Sequence, residues 1–174
     1  MATVFIVIQL MASILAALLV ILVMPLELQS DGDKDPLDFP RINILMNEFS
    51  AFILETMSAF LFTWMYFNLV FDTKCDDKSA YGFGIGACIV ISQLAHGNLT
   101  GACINPMNHF GPALLSMNSD HAWVYWLGPT FGTFFAGFYY SKVILDSDGK
   151  DNDGTKIDSM NTIENQNEAM HLTY

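Results

Sequence analysis

Positive charge is scarce in this sequence: Lys and Arg number 7 against 18 Asp and Glu, for a formal net charge of -11. Basic residues this few and scattered form no phosphate-binding stripe, so nothing argues for nucleic acid, which the surplus acid would repel. Cysteine is nearly as rare. The 3 cysteines, Cys75, Cys88 and Cys103, offer neither an even disulfide set nor metal-ligand spacing, and two lie in apolar runs as small hydrophobes. No residue pattern calls for a cofactor or a metal. Charge of either sign is also missing from most of the chain. Residues 1–26 carry none, and the acids crowd into 27–48, 72–77 and the stretch from 146 onward. With 52% apolar residues in 174, enough for one domain, that segregation fits an all-α multi-span membrane protein better than a soluble acidic domain.

About 20 apolar residues cross a hydrocarbon core roughly 30 Å thick. Residues 1–24 meet that requirement. The competing reading, a signal peptide, lacks a basic leading segment, and the apolar run is too long for one. A loop marked by Pro25, Pro36 and Pro40 follows. Further spans are expected at 47–71, 80–95 and 123–145. The second carries Glu55 inside it; the third has Gly82, Gly84 and Gly86, where a neighbouring backbone could approach. The fourth opens with Trp123, Tyr125 and Trp126, as at a membrane interface, and carries Gly128, Gly132 and Gly137. Residues 146–174 are polar and read as a disordered acidic tail. Its DSDGKDNDG run lacks the Glu that a calcium loop needs eleven residues on.

Between the third and fourth spans lies HGNLTGACINPMNHFGPALLSMNSDH, neither a clean span nor a water-soluble loop. Gly97 and Gly101 are expected to break the third helix. Asn105 followed by Pro106 is a helix-start signal, an N-capping side chain and then the residue that tolerates the first helical position. A helix from 106 to about 116 would be roughly 16 Å long at about 1.5 Å per residue, half a bilayer. Residues 97–116 therefore read as re-entrant. Non-helical backbone at that depth survives only when buried in protein or lining a watery path. The half-helix would bring a positive end of about +0.5 charge to the midplane, and the carbonyls of 97–103 could form a ladder of acceptors.

The order of Glu55, the third span, TGACINPMNHFGPA and HAWVYWLGPTFG resembles the second half of the aquaporin and aquaglyceroporin, or major intrinsic protein, family. The resemblance covers roughly residues 3–145 and is most specific over 97–137. It implies an aquaporin-like partial fold of four spanning helices and one re-entrant half-helix, with a tail after residue 145. It further implies a channel for water or small neutral solutes in a lipid bilayer, with tetramers as the family habit. Carried over by position, Asn105, Pro106 and Met107 form the pore motif. Asn108, Gln93 and Ala102 form the selectivity filter, Gln93 by an ungapped count where a gapped alignment would give His96, and Gly101, Ala102 and Cys103 supply pore-lining carbonyls. Glu55, fifty residues before Asn105, matches the buried acid that receives the re-entrant loop; a solvated or protonated helix-end acid is its plainer reading. His96 and His109 read as hydrogen-bonded loop residues.

Departures from the family pattern matter as much. The family phrase is like NPARSFGPA, whereas here Met107 replaces a small Ala and Asn108 replaces an Arg, removing a fixed charge and a fork of donors. Residues 1–24 resemble the last span of the family's first half, and the first two spans and first Asn-Pro motif have no counterpart. Two functions stay open: half of a channel completed by a complementary half, or a truncated, non-conducting membrane subunit that modulates full-length channels. Lys74, Lys78, Lys142, Lys150 and Lys156 against Lys34 and Arg41 favour both termini on the cytoplasmic side. The chain lacks the Cys-Cys-Gly cluster of tetraspanins, and no catalytic set appears at usable spacing, so it is not expected to be an enzyme.

Overall fold

The computed structural model describes residues 2–23, 40–71 and 79–145. The expected tail at 146–174, with its calcium-like run, and Lys34, Lys74, Lys78, Lys150 and Lys156 lie outside the described residues.

Helices are the only regular elements among the described residues. Helix α1 is Ala2–Val23, and α2 is Glu48–Tyr66, capped by Asn47, whose side chain accepts from Ser50 N at 2.7 Å. Satisfying an otherwise orphaned N–H in this way fixes where α2 begins. It widens into a π-helical turn over Phe67–Phe71. Helix α3 is Ser79–Thr100, α4 is the 10-residue Pro106–Leu115, and α5 is Ala122–Tyr139. The chain divides into two compact units, Met1–Ala136 and Gly137–Tyr174. In the second, the described residues are the end of α5 and a π-helical Tyr140–Leu145.

Among the described residues, three segments are long and apolar enough to cross a bilayer: Thr3–Val23, Glu48–Val70 and Tyr81–Thr100. The stretch expected as a fourth span is helical and free of charge over Ala122–Tyr139, but Trp, Tyr, Gly, Pro and Thr dilute its aliphatic content. Side chains sort as a membrane solvent requires. On α1, Phe5, Met11 and Leu15 are exposed, and Ala17 is the one buried side chain among those described. The largest fully buried side chains include Tyr125, His109, Glu55 and Thr100. Apolar atoms face outward because lipid is their solvent, and polar ones face each other because lipid offers them no partner.

Close backbone contacts hold the helices together. On α4, a Cβ added to Gly111 would lie 2.3 Å from Ser13 O on α1, and on α5 one at Gly132 would lie 2.2 Å from Thr56 O on α2. Small residues at such crossings let backbones meet where no hydrophobic force drives helices together. The triple glycine of α3 behaves differently from expectation. Only Gly84 of the three is approached, by the end of the Leu69 side chain, while Gly82 and Gly86 face open space. The third helix also runs past its expected end at residue 95. Gly97 lies inside it, and Gly101, at φ +83°, ends it. A single helical glycine costs only about 1 kcal/mol, less than the contacts that hold the last turn: Asn43 N donates to Leu99 O at 2.8 Å, and Asn43 Nδ2 to Asn98 O at 3.3 Å.

Candidate functional site

The site is built around four residues, Gly101 to Ile104, that join α3 to α4. Gly101, Ala102 and Ile104 all have positive φ, at 83°, 45° and 62°. Such a conformation is costly for residues with a Cβ and persists only where the surroundings over-determine it. Glu55 is the main determinant. Fully buried on α2, its carboxylate accepts from Cys103 N at 3.0 Å, Ile104 N at 2.9 Å and the Thr100 hydroxyl at 2.6 Å. Ionised carboxylates are acceptor-only, and three donors converging on one make strong, charge-assisted bonds. Tyr125 on α5 adds a fourth constraint, its hydroxyl donating to Thr100 O at 2.9 Å.

Thr100 continues the network. Its single proton goes to Glu55, so its oxygen accepts from Ala102 N at 3.3 Å and from His96 Nδ1 at 2.9 Å. His96 must therefore carry its proton on Nδ1, and the neutral ring's Nε2 accepts from Ser58 Oγ on α2. Ser58, His96, Thr100 and Glu55 are all buried. His96 is thus hydrogen-bonded, but within α3, not in a loop. His109, on α4, stacks on Tyr125 with ring centroids 4.4 Å apart.

On the other side of the loop, Asn105 caps α4. Its Oδ1 accepts from Met107 N at 3.1 Å, which leaves the side-chain amide as the donor end; Pro106 occupies the first helical position. The α4 N-terminus thus carries its partial positive charge at this point, with no charged side chain in the helix to offset it. Ser13 binds α4 twice, donating to Met107 O and accepting from Gly111 N at 2.8 Å. Asn108 is exposed and turns back, its Nδ2 donating to Cys103 O at 3.0 Å, and Gln93 Nε2 donates to Gly101 O at 3.2 Å. Both the Gly101 and Cys103 carbonyls therefore already accept one side-chain amide.

Two cavities flank these residues. One of about 690 Å³ is lined by α1 residues from Gln9 to Val20, by Pro40, and by the loop and α4 as far as Pro112. The other, of about 340 Å³, lies toward Phe62, Thr63, Ile89 and Thr133. Gln93, Ala102, Cys103, Asn105 and Asn108 border both, while Met107 lines only the larger and Pro106 only the smaller. Glu55 lines neither. In the sequence, Thr100, Ser58 and Ser13 carry no signal of their own, and Tyr125 reads only as an interfacial aromatic. Among the described residues no group of His, Cys, Asp and Glu could hold a metal ion.

A family model described as Major intrinsic protein matches residues 1–140. The chain is similar to a probable aquaporin TIP3-2 of Oryza sativa subsp. japonica, 32% identical over 135 residues, which cover 78% of this chain and 49% of that protein. It is similar to aquaporin TIP4-1 of Arabidopsis thaliana, 41% identical over 91 residues, covering 49% of this chain and 36% of the relative. Aquaporin-8 of Mus musculus is 41% identical over 64 residues, covering 37% of this chain and 24% of the relative. The chain thus spans about half the length, or less, of the curated relatives it matches.

Proposed function

The chain belongs to the major intrinsic protein family, and from that premise we propose that it supplies one wall and the waist of a passive channel for water or small neutral solutes. One observation carries the reading: Gln93, Ala102, Cys103, Asn105 and Asn108 border cavities on both sides of the α4 N-terminus. A solute moving between those cavities would meet the Asn105 amide, the Ala102 carbonyl, and a helix end whose positive potential opposes cations. Half-helix dipoles are an established way for water channels to exclude protons and cations. The channel domain comprises residues 1–145, with Asn105, Pro106 and Met107 at the waist. Asn108, Gln93 and Ala102 form the filter, and the Gly101, Ala102 and Cys103 carbonyls line the path. Glu55 holds the loop from behind and takes no part in permeation. The protein is integral to the membrane, with both termini cytoplasmic, and works as an oligomer; its role is conduction, not catalysis.

The opposite wall comes from a complementary half, since a 10-residue half-helix, about 15 Å long, reaches only partway through a bilayer. Stopped-flow light scattering of phosphatidylcholine vesicles after an osmotic jump tests this. The chain alone is expected to give no fast shrinkage, and co-reconstitution with the first half of a full-length relative to restore it. Fast shrinkage by the chain alone would overturn the need for a second half. No shrinkage in either preparation, with the protein folded, would overturn the channel reading and leave the non-conducting subunit, for which co-purification with a full-length channel is the check.

A further inference from the structure

Helix α1 carries three polar side chains, Thr3, Gln9 and Ser13, in an otherwise apolar sequence. Ser13 is spent on α4, which it bonds at Met107 O and Gly111 N. The two helices then climb in step, Ala17 packing with Ala113 and Ile21 and Leu115 beside them. One turn earlier, the same register puts Gln9 ahead of Pro106, where α4 has not begun. Gln9 is exposed and borders the cavity of about 690 Å³ together with Gln93, Asn105 and Asn108. Among the described residues nothing bonds to its side chain. It lies six residues past Thr3, about 9 Å along the first span, at a depth where lipid offers it no partner. A carboxamide has two donor protons and two acceptor lone pairs, and leaving them unmet away from water is costly. The other carboxamides at this cavity are turned to the loop and to α4: Gln93 donates to Gly101 O, Asn108 donates to Cys103 O, and Asn105 Oδ1 accepts from Met107 N.

We propose that Gln9 is a point of attachment for the complementary half, its NH₂ group donating to an oxygen that the half brings to the level of the α4 N-terminus. Such a contact rests on the reading of the chain as half of a channel. Three observations favour this occupant over a passing solute. The chain spans about half the length, or less, of its relatives, so a partner of comparable size belongs against it. A file of waters, at about 30 Å³ each, would leave most of the 690 Å³ empty, so the cavity has room for protein beside a path. A solute meets the amide only in passing, whereas the cost of a bare carboxamide lasts. An oxygen is the fitting partner, because the start of α4 beside Gln9 carries partial positive charge with no acidic side chain in its first turn. Polar side chains facing one another across helices are a known glue between spans.

Energy transfer between the donor-labelled full chain and an acceptor-labelled first half of the Oryza relative, co-reconstituted in phosphatidylcholine vesicles at varied protein-to-lipid ratio, tests the assignment. Gln9→Met, similar in size but without the amide, is expected to weaken association about three- to tenfold, the value of one side-chain hydrogen bond between spans. Denaturant unfolding of the chain alone should not be lowered by the same change, since nothing in the chain bonds to Gln9. A benzophenone attached at Gln9→Cys should cross-link to the half. Equal association of Gln9→Met and the unmodified chain would overturn the contact, as would cross-links to lipid alone. A loss of stability in the chain alone that matches the loss of association would overturn it too, by making Gln9 a support of this chain's own fold. Absence of association between the unmodified chain and the half would instead overturn the reading of the chain as half of a channel, and the contact with it. Association without osmotic shrinkage would overturn conduction only, and a weaker Gln9→Met complex would still support the contact.

Discussion

The two sides of loop 101–104 use their polar groups in opposite ways. Behind the loop, Glu55, Thr100, His96, Ser58 and Tyr125 bond to one another and to the loop's N–H groups, and every one is buried. In front of it, Gln93, Asn105 and Asn108 are exposed or half-buried beside the cavities and meet the loop's carbonyls or the start of α4. The backbone sorts them. With three residues at positive φ, the N–H groups of Cys103 and Ile104 turn toward the acid. A closed set of bonds fixes a shape, whereas a set facing open volume can meet a solute. Changes behind the loop should therefore act on folding, and changes in front on permeation.

The strongest test of that contrast is Glu55→Gln. The amide keeps the shape but loses the charge, and it brings an NH₂ to a place where three donors already converge. Leaving buried donors unpaired costs about 1–3 kcal/mol each, so a loss of about 3 kcal/mol or more is expected. Denaturant unfolding of the purified protein in detergent reads it; a stability equal to the unmodified chain would break the contrast at its centre. Gly132→Ala comes next. Its Cβ would lie 2.2 Å from Thr56 O and 2.8 Å from Phe60 N, backbone atoms that can move only if α2 moves. Overpacking of this kind costs about 1–3 kcal/mol. Gly86→Ala, into open space, is the control and is expected to be neutral or to gain up to about 1 kcal/mol from helix propensity.

Asn105→Ala removes a cap whose Oδ1 holds Met107 N at 3.1 Å. A loss of about 1 kcal/mol is expected, smaller than at Glu55 because Pro106 and the two Ser13 bonds still hold the start of α4. Its effect on permeability of the complemented channel should exceed what that stability change explains. If thermal midpoint and permeability fall only in proportion, the residue belongs with the folding set.

How far the sequence foretold this arrangement depends on whether a signal was local. Asn105 and Pro106 are adjacent, so the start of α4 could be read directly. Glu55 was legible because it is a lone acid within an apolar run. The network around it is not legible, because Ser58, Thr100 and Tyr125 come from three segments, and only the fold shows that one proton on Thr100 sets the tautomer of His96. Ser13 meets Gly111 across 98 positions, a pairing no local pattern encodes. The end of α3 was misplaced for the same reason. Gly97 is a local break signal, and the Asn43 bonds that override it come from the α1–α2 connection.

The smallest expected change in stability, and the finest test of the contrast, is Asn108→Arg. Asn108 is exposed, with one bond to Cys103 O, and that carbonyl also accepts from Asn105 N at 2.6 Å. Replacing it should shift stability by no more than about 0.5 kcal/mol, as at surface sites. Arginine would nevertheless place a fixed positive charge and five donors beside both cavities. In the complemented channel, the ratio of glycerol to water permeability should fall, and any residual cation leak should fall with it. An unchanged ratio would remove position 108 from the filter. A stability loss like that of Glu55→Gln would place Asn108 with the groups behind the loop, and the division between fixing a shape and meeting a solute would then no longer follow the two faces of residues 101–104.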